Sequence, residues 1–160
     1  LSFAPDVTVA SIVERKGRYL MVEELASGRR VFNQPAGHLE RNESLVQAAI
    51  RETLEETAWR IDIAALVGIY LWESPLDRQT FLRVAFEGRC RDHQPWRGLD
   101  EGICRAAWMT YEEILAEEAR LRSPLVVRCL DDYLAGTRYP LDLLTHLASA
   151  AQSIGYDVSA

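Results

Sequence analysis

Lysine is almost absent from these 160 residues: of 18 basic side chains, only Lys16 is a lysine. Acidic residues outnumber basic ones, 24 to 18, for a formal charge of -6. Such a chain is ill suited to wrapping a nucleic-acid backbone, because that affinity comes largely from clustered Lys and Arg. Long apolar runs are also lacking. The longest, around Ala65 to Trp72, is interrupted by Gly68 and is too short to span a bilayer, so no membrane partner is expected. Cysteine is scarce, and Cys90, Cys104 and Cys129 are spaced for neither a metal knuckle nor a disulfide framework. No basic-then-apolar leader opens the sequence, so the expected setting is reducing and cytoplasmic. What is present is ordinary. A 48% hydrophobic and 26% charged composition is the globular balance, and this length suffices for one domain, 1–160, with its own core.

The N-terminal third reads as strands. Val7 to Val13 is apolar and β-branched, Arg15 to Arg18 makes a turn, and Tyr19 to Val22 returns as a hairpin partner. Ser27-Gly28 marks a second turn before Val31 to Asn33, and Pro35, Ala36 and Gly37 read as a loop. From Glu43 the periodicity becomes helical. Ile61 to Trp72 and Phe81 to Phe86 are expected to pair, with a short strand at Ala106 to Met109. Thr110 and Glu113 form a capping box for a helix through about Arg120. Pro124 opens another that Gly136 stops, and Pro140 to Ala151 reads as a last helix, placing the C-terminal helices within about 110–151. Mixed strands and helices imply one layered α/β domain.

Acidity concentrates where chemistry is possible. Glu52, Glu55 and Glu56 lie at i, i+3 and i+4 of a helical stretch and share a face, with no basic residue expected between them. Ala48, one turn earlier, would leave space before them, while Val46, Ala49, Ile50, Thr53 and Leu54 would dock on a sheet. Three like charges this close repel and raise their own pKa values unless a cation joins them. A hard divalent cation suits oxygen ligands, and carbonyls of the Pro35, Ala36, Gly37 turn could add to the set. Arg51 can pair with Glu43 and tie the helix to the preceding loop. A cation held this way could mask polyphosphate charge and acidify water.

Gly37, Glu43, Arg51, Glu52, Glu55 and Glu56 stand at every fixed spacing of the Nudix box, so residues 37–59 resemble that motif. Thr53 and Ala58 depart from it, at an apolar position and at the closing glycine. Further likeness, at 7–10, 33–40, 122–126 and 138–141, is to the NudJ-type phosphatases of the superfamily. The resemblance implies an α/β/α sandwich with a mixed β-sheet and a Mg²⁺ requirement, with Mn²⁺ as a possible substitute. It also implies loss of the terminal phosphate from nucleoside di- and triphosphates and from hydroxymethylpyrimidine diphosphate. In that reading Glu55 and Glu56 are metal ligands, and Glu52 is a ligand or the base. Ala36 or Gly37 lends a carbonyl, while Arg51 and Glu43 orient the helix. The partner would be a small phosphorylated substrate, and the enzyme a monomer or homodimer. Two alternatives remain: a pyrophosphohydrolase acting on a nucleoside diphosphate joined to another group, such as ADP-ribose or a nucleotide sugar, and a nucleotide-sensing module without turnover.

Outside the box the residues leave choices open. The loop at Glu101 resembles one that in many Nudix enzymes contributes a late carboxylate, which implies a base or a further ligand from Glu101 or its neighbour Asp100. His38 could reach a phosphate, and Trp72 or Phe81 could stack on a heterocycle. Arg29, Arg30, Arg78 and Arg83 are candidate phosphate forks, and Arg122 and Arg138 could instead pair with Asp131, Asp132 or Glu118.

Overall fold

The computed structural model describes residues 2–149. The chain runs through β1 (Asp6–Arg15), β2 (Arg18–Ala26), β3 (Arg29–Asn33), β4 (Ala36–His38) and α1 (Leu45–Thr57). There follow β5 (Trp59–Glu73), β6 (Thr80–His93), β7 (Ile103–Met109), α2 (Tyr111–Ala116) and α3 (Leu125–Leu134). The two expected hairpin turns form where the backbone can go left-handed, at Lys16-Gly17 (φ 53 and 75) and Ser27-Gly28 (φ 50 and 77). Positive φ at both central residues matches the right-handed twist of the flanking strands.

The sheet order is β3-β2-β1-β6-β5, with β4 on β1 and β7 on β2. The sheet is mixed, because β1 and β6 run parallel while the other pairs are antiparallel. β1 and β2 pair only beside their turn, at Glu14–Tyr19 and Arg15–Arg18. Beyond it they part, and β4 takes the freed edge of β1, pairing Gly37 with Val9 and Ala36 with Ala10. The loop expected at Pro35 to Gly37 is therefore a short strand from Ala36 onward. Its backbone satisfies polar groups that the splayed hairpin leaves open.

Alternation along β1 feeds both faces of the sheet. Val9 packs with Ala48, Ala49, Leu66, Val84 and Phe86 beneath α1. Ala10 and Ile12 face Met21, Phe32, Val67, Val126 and Leu130 on the side of α2 and α3. The result is an α/β/α sandwich. No described helix is long and apolar enough to cross a membrane.

Capping follows the sequence closely. Ser44 caps α1 in a reciprocal box with Gln47, and Thr110 caps α2 with Glu113. α2 ends at Ala116, however, and only a 3-10 turn at 118–120 continues toward Arg120. The helix expected over Pro140 to Ala151 does not form. Residues 141–143 make one 3-10 turn, 144–149 are irregular, and 150–151 lie outside the described residues. Leu141 and Leu144 pack against the core beneath α1, but Leu143 and Leu147 are mostly exposed, so no continuous helical stripe is buried here.

Ala58 occupies the closing-glycine position of the box and still makes the left-handed cap, at φ 61, its N–H donating to Leu54 O at 2.9 Å. A left-handed non-glycine costs roughly 1–2 kcal/mol, part of which glycine returns as unfolded-state entropy. Ala58→Gly is therefore expected to stabilise the fold by about 0.5–1 kcal/mol, raising Tm by about 2–4 °C. Thermal and urea unfolding would check this. A lower Tm would show that the buried Ala58 methyl contributes more than its backbone strain costs.

Candidate active site

Arg51 organises the N-terminal part of the site. Its Nε and Nη2 donate to the two oxygens of Glu43 at 2.9 and 2.7 Å, a bidentate pair. Nη2 also donates to His38 O at 3.1 Å, tying α1 to β4. The expectation of a face free of basic groups fails here, because Nη1 reaches Glu52 at 2.9 Å and Glu55 at 3.2 Å. With Glu40 3.6 Å from Nη1 as well, one guanidinium partly neutralises four carboxylates. The Arg51 contact holds the Glu43 carboxyl below its usual range and raises the pKa of Arg51 itself.

The glutamates of the box do not converge as one trio. Glu52 and Glu55 bring carboxylate oxygens within 4.8 Å of each other and of Asp100, which arrives from the loop before β7. That loop is anchored at the helix end, where Asp100 N donates to Glu55 O at 3.0 Å. Glu56 turns inward instead. It is 6% exposed, and its Oε1 accepts Ala36 N–H at 2.8 Å. Burial pushes its pKa up to about 9, the Ala36 hydrogen bond opposes the rise, and repulsion from Glu24, Glu52 and Asp100 adds to it. Glu52 is raised as well, by burial first, with Arg51 opposing.

Glycine at position 37 has a steric reason. A Cβ there would overlap the Glu52 carboxyl group, so the bare backbone of Gly37 is what lets that carboxylate lie against β4. Ala48 does not open space before the acids; it is fully buried in the core beneath α1. Thr53 packs as the box expects of an apolar residue, and its hydroxyl donates to Ala49 O at 2.8 Å.

A cleft of about 200 Å³ adjoins the acids across the gap between β1 and β2, sharing Ala36, Gly37 and His38 with them. Trp72 and Phe81, cross-strand partners on β5 and β6, line it as a stacked pair with centroids 5.9 Å apart. His38 lines it too, its Nε2 3.5 Å from Asp6 Oδ2. Of the four candidate arginine forks only Arg83 lines this cleft. Arg30 pairs with Glu23, Arg78 with Glu73, and Arg29 donates to Ala119 O. Arg122 also lines it, whereas Arg138 pairs with Glu87 rather than with an acid of α3. Glu101 is exposed and outside the acidic trio, where Asp100 stands. Glu24 and Asn33 also line the cleft, and the residue reading missed them as site groups. A charged Glu23-Glu24 pair inside an apolar strand was the available signal.

Three carboxylates with hard oxygen donors, one side open to solvent, fit a divalent cation. Comparison with known proteins points the same way. A family model, the NUDIX domain, matches residues 2–129. The phosphatase NudJ of Escherichia coli strain K12 is 41% identical over 142 residues, spanning 89% of this chain and 92% of that one. A NUDIX hydrolase from Nitrosomonas europaea superposes with a TM-score of 0.89 at 48% identity, covering 90% of this chain and 98% of its own. The NUDIX domain of Shewanella oneidensis NrtR, solved with ADP ribose, shares the fold at 15% identity with a TM-score of 0.68, over 84% of this chain and 90% of that one.

Proposed function

The chain belongs to the NUDIX family, hydrolases of phosphoric anhydride bonds, and from that premise we propose that it removes terminal phosphates from small substrates. The substrates proposed are nucleoside di- and triphosphates and hydroxymethylpyrimidine diphosphate, and the cation is Mg²⁺, with Mn²⁺ able to replace it. One observation carries the reading: Gly37 of β4 has the Glu52 carboxyl of the Glu52, Glu55 and Asp100 group against it and also lines the cleft with the aromatic wall. The choice of the terminal phosphorus rests on likeness to NudJ. Residues 1–160 are read as one cytoplasmic catalytic domain.

Glu52, Glu55 and Asp100 would hold the cation, with Glu56 behind them as a further carboxylate. Bound there, a divalent ion supplies Lewis acidity and charge neutralisation. The chain supplies the rest. Arg51 fixes the helix against β4, so the acids and the cleft keep one spacing. Glu52, whose carboxyl lies against Gly37, is the proposed ligand or proton acceptor, its carboxyl pushed up by burial with Arg51 opposing. Trp72 and Phe81 hold the organic end of the substrate, and His38 and Arg122 flank its phosphates. In-line displacement requires the attacked phosphorus to sit opposite the incoming oxygen, so the depth of the cleft sets which bond breaks.

Incubation of CTP and of CDP with Mg²⁺ in ¹⁸O-labelled water tests this. Labelled orthophosphate is expected from both, with CDP appearing transiently from CTP and CMP accumulating. Pyrophosphate from CTP without a CDP intermediate would reassign the attack to an inner phosphorus and favour the pyrophosphohydrolase alternative.

A further inference from the structure

Polar groups in the cleft form an arrangement that hydrolysis alone does not use. Arg83 is 5% exposed, and a guanidinium can only donate. Its Nη1 donates to Gln34 Oε1 and its Nη2 to Asn33 Oδ1, each at 3.0 Å. Among the described residues no carboxylate lies within ion-pair distance of it, and its buried Nε has no hydrogen-bond partner. A charge buried on neutral amides is costly, so a structural purpose is implied.

The purpose is legible in what the amides can then do. Gln34 is engaged at both ends, its Nε2 donating to Val126 O at 2.8 Å. Asn33 has its oxygen occupied, and of the two N–H groups of its NH₂ one faces the Glu24 carboxyl, leaving the other for the cleft that both residues line. Glu24, one strand over on β2, lines the same wall. Burial pushes its carboxyl up, while Arg122, the Asn33 amide and Arg83 favour the ionised form. Ionised, it offers acceptors only.

We propose that Glu24 and Asn33 select the heterocycle, presenting an acceptor beside a donor, and that Arg83 is the positioning residue fixing which end of the Asn33 amide faces the cleft. This rests on the hydrolase reading and narrows it. The complementary ring edge is an amino group next to an unprotonated ring nitrogen, as in cytosine, adenine or a 4-aminopyrimidine. A lactam edge held the same way, as in uracil or hypoxanthine, carries the reverse pattern and would leave the half-buried Glu24 and the buried Asn33 facing like partners. The stacked Trp72–Phe81 wall accepts any flat ring and cannot make this distinction.

The test is the ratio of kcat/KM for CDP over UDP and for ADP over IDP, pairs that differ at this edge. The expected preference is at least about tenfold for the amino member of each pair, in line with a buried site left mispaired by the other. Glu24→Gln supplies an amide that can turn either end outward, and Arg83→Lys frees the Asn33 amide. Each should bring both ratios to within about threefold. A fold defect would depress both members of a pair and leave the ratio intact. Calorimetric binding of CMP against UMP, which needs no turnover, should show the same preference. Equal treatment of both pairs by the unaltered protein, or ratios unchanged in both variants, would overturn the inference while the hydrolase reading stands. Preference in binding with no turnover of any nucleotide would uphold the inference and remove the hydrolase reading. Neither binding nor turnover would end both.

Discussion

Glu52→Gln and Glu55→Gln are each expected to lower kcat by at least about a hundredfold while leaving the fold intact. Glutamine keeps side-chain length and helix propensity, so α1 should form as before. What changes is charge at the point where the two residues and Asp100 bring oxygens within 4.8 Å. A hundredfold loss corresponds to about 2.7 kcal/mol of transition-state stabilisation, within the range for removing one preorganised electrostatic group. Asp100→Asn should behave likewise. Glu101→Gln, one position along but exposed and outside the trio, should stay within about threefold of the parent. Stability should move the other way. Each glutamine removes a like charge from the face that Arg51 alone neutralises, so Tm without metal is expected to hold or rise. The increase in Tm on adding Mg²⁺ should shrink, because a weaker site contributes less binding linkage. Steady-state kinetics and melting curves, with Mg²⁺ and with chelator, read both effects. Near-parental turnover by either glutamate variant would remove the trio from the chemistry.

That Asp100 rather than Glu101 belongs with the acids shows where residue-level reading stops. Spacing along one helix fixes Arg51, Glu52 and Glu55, because neighbours within one turn are local geometry, and Glu43 stands just before the N-cap, two turns from Arg51. The same holds for the hairpin turns and for the Ser44 and Thr110 caps, whose chemistry lies within four residues. Asp100 and Glu101 differ by one position in an irregular loop. Only a contact across the chain, Asp100 N to Glu55 O, decides which side chain is presented. Glu56 is a subtler case. Helical spacing places it beside Glu52, but which of them faces the opening depends on β4, whose Ala36 N–H draws the Glu56 carboxylate inward. β4 in turn exists because β1 and β2 separate after two residue pairs and leave that edge of β1 open. Arg138 follows the same rule: it finds Glu87 on β6, not the acids nearer in sequence. From Pro140 to Ser149 only part of the apolar pattern finds the core, through Leu141 and Leu144, and pattern alone does not show which residues will.

Glu56 leads to the second large effect, a stability that runs opposite ways with pH depending on the cation. In the absence of metal its carboxyl is pushed up to about 9, mainly by burial, while an unfolded glutamate titrates near 4.5. Between those values the folded chain binds a proton that the unfolded chain has released. The slope of stability with pH follows the proton excess of the unfolded state, so it is negative here, and stability falls as pH rises from about 5 to about 9. Glu24 and Glu52, both raised, act with the same sign; Glu43, held low by Arg51, contributes its stability above about 4.5 and does not oppose them in this window. With each pKa unit worth about 1.4 kcal/mol, the loss should reach several kcal/mol, a large share of the stability of a domain this size. A divalent cation among these carboxylates replaces the protons it displaces. Mg²⁺ should therefore flatten or reverse the slope, and its binding at pH 7 should release protons. Melting curves in EDTA and in Mg²⁺ at half-unit pH steps measure the first effect, and calorimetry in buffers of different ionisation enthalpy measures the second. Glu56→Gln should remove most of the metal-free slope, because a neutral amide can still accept the Ala36 N–H with its carbonyl oxygen. A metal-free Tm that holds level or climbs between pH 5 and 9 would show that Glu56 is ionised in its buried position without help.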